Sequence, residues 1–331
     1  MATPNMAFPN VDQFRTQLLE RRAKLEQASV AAASRELGRL MSEEDAALAR
    51  IVQGTFGLCQ ECHDPIEIDR LIRDPLVTLC LDHLSAAQRR DLEEDLTLAV
   101  RVQSKLLPQP GLTWAGWETH YHYLPAGAVS GDFCDLIRCE GQPERLFFVV
   151  GDVAGKGVAA SLLMTHLNAI LRTLVPMGMP LIDMVRHANK IFCEDTMTAH
   201  YATLLCGYAS ASGEVELCSA GHCPPLALKH GQVQPVEVSG LPLGLFCQGK
   251  YDSASLQLQS GDALLIYTDG VTEARDHFDA DYGSERLGEA FGRLGGMGVE
   301  SLVSGCLDHL EQYLGGAPRH DDVTLLAIRR Q

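Results

Sequence analysis

The sequence predicts an α+β protein in which a layered domain of β-sheets and helices follows a helical N-terminal region. Two observations lead to this prediction. Residues 11–53 are rich in Ala, Leu, Glu and Arg, contain no Pro, and place leucines at helical spacing. From residue 112 onward, short apolar runs bounded by Gly and polar turns alternate with longer helical patterns, which is typical of domains that pack helices on sheets.

The N-terminal region, residues 1–53, is predicted to form two helices or one interrupted helix. Ser42 with Asp45 three residues later resembles a helix cap, and apolar residues follow it at helical spacing. Gly54 and Gly57 are expected to end the helical region, because glycine is common where helices stop.

Residues 85–110 are predicted to form a linker helix together with its end. The helix has one apolar face, which consists of Leu92, Leu96, Ala99 and Val100. Pro108 and Pro110 stop the helix, because proline cannot continue it. This proline pair marks a domain boundary, and we assign residues 111–331 to the C-terminal domain.

The C-terminal domain is predicted to combine strands with helices in an α/β/β/α arrangement. Five apolar runs are predicted to be strands, at 146–150, 202–208, 215–218, 263–267 and 323–328. Four helical patterns lie at 158–174, 180–195, 284–294 and 299–313.

Composition restricts the classes of function. The 331 residues suit two domains, and the net charge of −16 without a Lys/Arg-rich block argues against nucleic acid as a partner. No run approaches the roughly 20 apolar residues of a membrane span, and residues 1–10 do not resemble a signal peptide. We therefore predict a cytoplasmic protein with no membrane partner. Its 11 cysteines are then expected to be metal ligands or buried thiols rather than disulfides.

A compact cysteine cluster follows the N-terminal helices. Cys59 and Cys62 form a C-x2-C pair, and Cys80 with His83 forms a C-x2-H pair further along. Two such pairs can close one tetrahedral shell, which predicts one structural Zn²⁺. His63 competes with His83 for the fourth position, and the spacing favours His83. The alternative is two incidental cysteine pairs in a reduced core.

Residues 45–83 resemble the zinc finger of the DksA/TraR family, which assigns residues 54–84 as a zinc module. The helix leading into Gly-Thr-Phe-Gly, both knuckles and the Pro-Ile turn correspond. The family usually has Cys where this chain has His83, and zinc accepts either ligand. Family members that act on RNA polymerase carry acidic residues at the tip of a long coiled coil. The lead-in here is short, so that activity is not expected.

Four aspartate motifs stand out in the C-terminal domain. They are Gly131-Asp132-Phe133-Cys134-Asp135, Gly151-Asp152, Asp269-Gly270 and Asp321-Asp322. Three of the four adjoin a predicted strand, so their carboxylates are expected to converge at a sheet edge. Carboxylates gathered in this way need cations, and oxygen ligands select Mg²⁺ or Mn²⁺. The alternative is that each Asp is a turn residue, although four motifs beside strands favour a metal site.

Taken in order, these motifs resemble the PPM metal-dependent protein phosphatases of the SpoIIE/RsbU branch. The resemblance covers residues 128–330 almost continuously and includes AVSGDFCDLI, FFVVGDVAGKGVAASLLMTHL, DALLIYTDGVTEARD and DDVTLLAIRR. It implies a layered α/β/β/α sandwich and hydrolysis of phosphoserine or phosphothreonine on proteins. It also implies two Mn²⁺ or Mg²⁺ ions.

The resemblance suggests a role for each aspartate. Asp152 would lie between the two metals, with the Val153 carbonyl beside it. Asp132 and Asp269 would each hold one metal or the water molecules around it. These three aspartates and Asp321 form the predicted catalytic set.

The last motif leaves one choice open. Asp321 corresponds to the final metal-binding aspartate of the family, and its neighbour Asp322 stays an alternative. Asp135 is a weaker candidate, for a third ion. We find no counterpart of the basic phosphate clamp of eukaryotic relatives. A water molecule between two dications would attack phosphorus in line, with no covalent phosphoenzyme.

Three competing motifs are weaker. GDVAGKG resembles a P-loop but fails its spacing at Gly157, so Lys156 is expected to be solvated or to contact substrate. Cys139 and Arg145 have the spacing of cysteine-dependent phosphatases, but the acidic, proline-containing loop between them is predicted to be a hairpin. His222 is a candidate proton donor, although a hydrogen-bonded turn histidine is favoured. The other cysteines are expected in the core.

Two functions follow from these predictions. The first is a serine/threonine phosphoprotein phosphatase regulated by its zinc module, acting by resemblance on a phosphorylated STAS-type anti-sigma-factor antagonist. In the family, the linker helix mediates dimerisation and switching, so a homodimer is expected. Paired linker helices would then reposition the segment after Gly157. The alternative is a non-enzymatic zinc-finger adaptor of the transcription machinery with a phosphatase-like scaffold.

Overall fold

The computed structural model divides the chain into two compact units, Met1–Asp95 and Leu96–Gln331. Five stretches are described, namely residues 11–31, 35–84, 86–139, 145–195 and 200–331. The boundary between the units falls within helix α4, Ala86–Leu106. This helix matches the predicted linker.

The first unit contains two long helices and one short helix. α1 is Val11–Ala31, α2 is Arg35–Gln53 and α3 is Ile68–Arg73. The prediction of two N-terminal helices is confirmed, but the predicted cap at Ser42 is wrong, because α2 runs through it. Ser42 is exposed, and a solvent-facing serine destabilises a helix interior only slightly.

The core of the first unit forms where α1 and α2 pack beside the cysteine cluster. Phe14 and Leu18 on α1 meet Ala47 and Ile51 on α2, each pair one helical turn apart. The ring centroids of Phe14 and Phe56 lie 5.4 Å apart. These few apolar side chains make a small core, which needs a further stabilising element.

Within its described residues, the second unit contains eleven strands and five further α-helices. The strands are β1 Thr113–Trp114, β2 Trp117–Leu124, β3 Asp132–Arg138, β4 Arg145–Val153, β5 Ala202–Ser210, β6 Glu214–Ala220, β7 Leu226–Lys229, β8 Gln232–Pro235, β9 Ser253–Gln257, β10 Ala263–Tyr267 and β11 Val323–Arg330. The helices are α5 Gly157–Leu174, α6 Leu181–Asp195, α7 Asp269–Thr272, α8 Gly283–Arg293 and α9 Val299–Leu314.

The strands form two antiparallel sheets. One has the order β1-β2-β11-β10-β7-β8, and the other has the order β3-β4-β5-β6-β9. Alternate residues of β4 explain the layers: Leu146, Phe148 and Val150 pack between the sheets, whereas Phe147 and Val149 pack against α5 and α6. Helices α8 and α9 cover the outer face of the first sheet. The predicted α/β/β/α sandwich is confirmed.

Helix α5 with the turn that follows it, Gly157–Met177, is the one described helix long and apolar enough to cross a membrane. Half of its most apolar window is buried, and Met164, Leu167 and Leu171 pack in the core beside the second sheet. Its apolar composition is therefore explained by its place in the sandwich.

One prediction about the cysteines is wrong. Cys193 at the end of α6 and Cys247 form a disulfide, with their Cα atoms 5.5 Å apart. The two residues are far apart in sequence, so no local pattern indicates the pairing. The remaining nine cysteines are free, and Cys134, Cys206 and Cys306 are buried as predicted.

Candidate metal centres

The second sheet brings two of the predicted aspartates face to face. Asp132 begins β3 and Asp152 lies near the end of β4, and the two are directly opposite in the antiparallel register. Opposite residues have their side chains on the same face of a sheet. That face is the one packed against the first sheet, since Cys134 and Val150, two residues away on each strand, lie in the intersheet core.

The first sheet brings the other three aspartates. Asp269 opens α7, directly after β10, and Asp321 with Asp322 precedes β11. Since β10 and β11 pair with Tyr267 opposite Leu325, the end of one strand lies beside the start of the other. All four predicted motifs therefore meet at one end of the sandwich, between the sheets.

Asp132 is held by threonines from the opposite sheet. Its carboxylate Oδ2 accepts hydrogen bonds from Thr268 Oγ1 at 2.8 Å and Thr324 Oγ1 at 2.6 Å. All three residues are buried. These bonds tie the two sheets together at the site and fix one oxygen of Asp132. Sequence reasoning missed both threonines.

A glycine leaves room beside the Val153 carbonyl. A Cβ atom placed on Gly131 would lie 2.8 Å from the Val153 carbonyl oxygen and 3.2 Å from Asp152 Oδ1. The backbone oxygen and the carboxylate thus face the same small space, which any side chain at position 131 would fill. This is the geometry expected if both atoms bind one cation.

Burial and mutual repulsion together oppose ionisation of the aspartates at this site. Burial, followed by the charges of Asp269, Asp321 and Asp322, raises the pKa of Asp152 to about 7. Burial and the charge of Asp152 raise the pKa of Asp132 far above its usual value. Carboxyls that resist ionisation in this way are stabilised as carboxylates by cations.

The two adjacent aspartates of the last motif have different surroundings. Both oxygens of Asp322, which is 9% exposed, are occupied: Oδ1 accepts the Ala126 N–H at 2.6 Å and Oδ2 accepts the Gly131 N–H at 3.0 Å. The Asp321 side chain is 51% exposed, and its Oδ2 lies 3.2 Å from Lys156 Nζ. Asp321 Oδ1 also accepts the Asp322 N–H at 3.0 Å, so exposure is what makes Asp321 the more accessible of the two.

Asp135 is not available to a third ion. Arg172 Nε and Nη2 donate to its two oxygens at 2.7 and 3.0 Å, and the Leu136 N–H donates to Oδ1 at 2.8 Å. The interpretation of Asp135 as a weak metal candidate is wrong, because a guanidinium already neutralises it in a bidentate pair.

The linker helix contacts the acidic site through Gln103. Its Nε2 donates to the Ser130 carbonyl at 2.8 Å, and the Ser130 N–H donates to its Oε1 at 3.1 Å. Ser130 Oγ in turn accepts the Asp132 N–H at 2.9 Å. The sequence did not indicate this contact, since a single glutamine on a helix has no distinctive pattern.

The cysteine cluster forms a second, separate candidate centre. Among the residues that the structure describes, one group of three or more His, Cys, Asp or Glu side chains has all its ligand atoms within 4.8 Å of one another: Cys59, Cys62, Cys80 and His83. The Cys62 and Cys80 sulfurs are 3.8 Å apart, and a zinc tetrahedron with bonds of about 2.3 Å has edges of about 3.8 Å. His83 Nδ1 lies 3.2 Å from the Cys80 sulfur, so His83 rather than His63 completes the set.

The surroundings of Cys59 favour a thiolate. Burial raises the pKa of its thiol, but three backbone N–H groups outweigh this effect. Those of Glu61, Cys62 and Cys80 donate to the sulfur, and the pKa falls to about 6. A sulfur that is already charged near neutral pH binds zinc without first losing a proton.

The competing motifs do not form sites. Cys139 and Arg145 flank the β3–β4 hairpin, whose tip at 140–144 lies outside the described residues, and Arg145 stacks on the Tyr208 ring. His222 is buried, with Nδ1 2.9 Å from Thr203 Oγ1, and burial lowers its pKa to about 4. This matches the turn histidine that the sequence favoured.

Comparison with known proteins agrees with this geometry. The profile of the family described as stage II sporulation protein E (SpoIIE) matches residues 142–331, more than half of the chain. The chain belongs to the SpoIIE family. A second profile, the prokaryotic dksA/traR C4-type zinc finger, matches residues 54–82 and ends just before His83. Both resemblances predicted from the sequence are confirmed.

Two relatives illustrate the SpoIIE match. Protein IcfG of Synechocystis is 27% identical over 70% of this chain and 40% of its own length. Phosphoserine phosphatase RsbU of Bacillus subtilis is 23% identical over 73% of this chain and 72% of its own length. The chain thus spans less than half of IcfG but most of RsbU.

Solved structures of SpoIIE-type domains have the same architecture. The RsbU and RsbW domains of a Mycobacterium tuberculosis protein share 30% identity, with a TM-score of 0.57 over 67% of this chain and 61% of that one. The SiaA PP2C domain of Pseudomonas aeruginosa shares 20% identity, with a TM-score of 0.64 over 74% and 99%. The second likeness identifies the PP2C fold and nothing further.

Proposed function

We propose that this protein is a metal-dependent phosphatase for phosphoserine or phosphothreonine on proteins. One observation carries the proposal: five aspartates from two sheets meet at one end of the sandwich, where burial, followed by the charges of three other aspartates, raises the pKa of Asp152 to about 7. Such a cluster of carboxylates is suited to binding two divalent cations. The relatives named phosphoserine phosphatase support the same activity.

The ligands that we propose follow from the family resemblance and from the greater exposure of Asp321 compared with Asp322. Asp152 would be the ligand shared by the two ions, with the Val153 carbonyl beside it, and Asp132, Asp269 and Asp321 would complete the set. The hard oxygen donors favour Mg²⁺ or Mn²⁺.

Asp322 has a different proposed role. Because both of its oxygens accept backbone N–H groups, it fixes the 126–131 segment instead of binding a metal directly. That segment contains Gly131, whose missing side chain leaves the space beside Val153 and Asp152. Asp322 thereby keeps the metal-binding space open.

In this mechanism the protein's own residues keep the metal ligands in position and add charge at the edge of the site. When bound, the two ions supply positive charge for the phosphoryl oxygens and make water a stronger nucleophile. Thr268 and Thr324 keep Asp132 in place, and Lys156 adds a positive charge at the exposed rim beside Asp321. Burial, followed by the charges of Asp269 and Glu273, raises the pKa of the Cys223 thiol to about 12, which disfavours its thiolate form.

The second centre fits one structural zinc ion. Its four ligand atoms lie within 4.8 Å of one another, and four protein ligands would leave no position on a zinc ion for a substrate. The small apolar core around Phe14 and Phe56 gains stability from such an ion. We therefore propose that zinc holds the N-terminal unit in its folded form.

The proposed partners are a phosphorylated STAS-type protein as substrate and a second copy of this chain. The dimer proposal rests on α4, where Leu92 is 37% and Val100 is 40% exposed on the predicted apolar face, with Leu96 and Ala99 half-buried. An exposed apolar stripe on a helix favours pairing with a like helix. We also propose a cytoplasmic location for the protein.

Hydrolysis of p-nitrophenyl phosphate separates the enzyme from the adaptor. We expect the wild type to turn over this substrate with Mn²⁺ and to lose activity without it. Asp152→Asn is expected to lower kcat/KM by at least about a hundredfold, because a bridging ligand loses its charge. If Mn²⁺ has no effect, or if Asp152→Asn keeps full turnover, the zinc-finger adaptor becomes the better hypothesis.

A further inference from the structure

A groove of about 760 Å³ runs between the β7–β8 hairpin and helix α8. Val233 on β8 forms one wall, and Gly288 on α8 forms the other. A Cβ atom on Gly288 would lie 3.7 Å from Val233 Cγ1, in ordinary contact. A side chain longer than that of Ala at position 288 would therefore press on Val233 or extend into the groove.

The inner end of the groove adjoins the acidic site. Tyr267, Thr272 and Cys223 line this end. Thr272 closes the short helix that Asp269 opens, and its hydroxyl donates to the Asp269 carbonyl at 3.3 Å. The charges of Asp269 and Asp152 also act on the Cys223 thiol. A chain that leaves the metal centre on this side enters the groove directly.

The lining of the groove has a defined chemistry. Its lining includes several apolar residues, with Leu226, Val233 and Tyr267 among them. The charged residues that line it are Glu285 and Glu289, both exposed, and none of its described lining residues is basic. Glu289 already pairs with Arg293 at 3.1 Å, so Glu285 carries the charge argument. An acidic occupant would be repelled, whereas Lys or Arg beside an apolar residue would be complementary.

We propose that this groove binds the polypeptide segment next to the phosphorylated residue of the substrate and selects a segment with a basic residue. The proposal rests on the proposed phosphatase function and deepens it. It commits to one occupant, the substrate protein, because the groove opens onto the site where the phosphate is held. A second copy of this chain is the competing occupant.

The experiment compares a small substrate with pairs of peptides. p-Nitrophenyl phosphate needs only the metal centre. The phosphoserine peptides are compared in pairs that are identical except at one flanking position, where one carries Lys and the other Glu. The position is varied from pair to pair on both sides of the phosphoserine. Gly288→Leu fills the groove without breaking α8, since Leu is a better helix former than Gly, and Gly288→Ala is the matched control.

We expect Gly288→Leu to raise the KM for the Lys peptide by at least about tenfold, the effect of losing one well-filled apolar contact. Turnover of p-nitrophenyl phosphate and the behaviour of Gly288→Ala should stay near wild type. Glu285→Lys should reduce the preference for the Lys peptide by about two- to fivefold, as expected for one exposed charge pair. Glu300→Lys, the same change on α9 outside the groove, should not.

Each other outcome has a separate meaning. If the wild type hydrolyses p-nitrophenyl phosphate but Gly288→Leu leaves peptide kinetics unchanged, the groove proposal is overturned and the phosphatase function stands. A change in oligomeric state of Gly288→Leu in light scattering would identify a second copy as the occupant, which also overturns it. Absence of p-nitrophenyl phosphate turnover in the wild type would instead refute the proposed function, and the groove proposal with it.

Discussion

Asp152 is the residue at which the charges of the acidic site meet. It lies opposite Asp132 across the β3–β4 pair, and its pKa is raised to about 7 by burial and by three further aspartates. Divalent cations offset this opposition to ionisation, since they favour the ionised form of every ligand. Protonation of Asp152 and metal binding are therefore competing events near neutral pH.

This competition predicts how stability depends on pH. The pKa of Asp152 in the folded state, about 7, lies above the ordinary value of 3.8, so the folded state keeps a proton that the unfolded state has lost. Stability from this proton is complete below the unfolded pKa and is lost as the pH rises through about 7. Without Mg²⁺ or Mn²⁺, the melting temperature should therefore fall between about pH 5 and about pH 7.5.

Thermal unfolding of the wild type and Asp152→Asn measures this effect, with zinc retained in the buffer. The difference between the two proteins reports Asp152 together with the carboxyls whose pKa its charge raises, such as Asp132, whereas distant titrating groups cancel. We expect Asp152→Asn to depend less on pH and to be the more stable of the two above neutrality. Identical pH profiles for the two proteins would contradict the account of Asp152.

Asp321 and Asp322 should respond to mutation in opposite ways. Asp321→Asn is expected to weaken Mn²⁺ binding by at least about tenfold, with little loss of stability, because its side chain is half exposed. Asp322→Ala leaves the Ala126 and Gly131 N–H groups without an acceptor, which costs about 1–3 kcal/mol for each buried donor.

Mn²⁺ titration and urea unfolding of the two variants distinguish these roles. Asp322→Asn serves as a milder control, since its amide oxygen still accepts one N–H. The reverse pattern, with Asp322→Ala stable but unable to bind Mn²⁺, would make Asp322 the direct ligand.

At this scale the sequence indicated the acidic residues but not their supports. Aspartates at strand ends can be recognised from short motifs. Thr268 and Thr324 cannot, because they contact Asp132 across 136 and 192 residues of chain, and such a contact leaves no local pattern. The same holds for Arg172, which neutralises Asp135 from helix α5.

At the scale of elements, periodicity decided what could be predicted. The helical patterns at 158–174 and 299–313 correspond to α5 and α9 within one residue, because long amphipathic helices repeat their pattern several times. The strand β2 was missed, since its histidines and tyrosines are only half buried. Short edge strands such as β8 have too few residues for a pattern to emerge.

Two substitutions on the linker helix test which of its faces mediates dimerisation. Leu96→Glu places a charge on the predicted apolar face of α4, and we expect a shift from dimer to monomer together with altered phosphatase activity. Leu98→Glu is the matched control, because Leu98 is 59% exposed and lies on the other side of the helix. Sedimentation of both variants measures the effect, and a dimer that survives Leu96→Glu would contradict the pairing.

At the scale of the whole molecule, the acidic site exists only because two sheets face each other. Each sheet supplies part of the set, and neither alone gathers enough carboxylates for two ions. Sheet order and the Cys193–Cys247 disulfide depend on long-range packing, which a single sequence does not reveal. The α/β/β/α layering was predictable because resemblance in the order of motifs covered nearly the whole domain.

The measurement that tests this account most directly is electron paramagnetic resonance of the protein titrated with Mn²⁺. Two ions about 3.5–4 Å apart, as in two-metal sites, interact magnetically, whereas isolated ions do not. We expect two spin-coupled Mn²⁺ ions per chain in the wild type, and loss of the coupling in Asp152→Asn. A single uncoupled ion, or a coupled pair that survives Asp152→Asn, would contradict a two-metal centre bridged by Asp152.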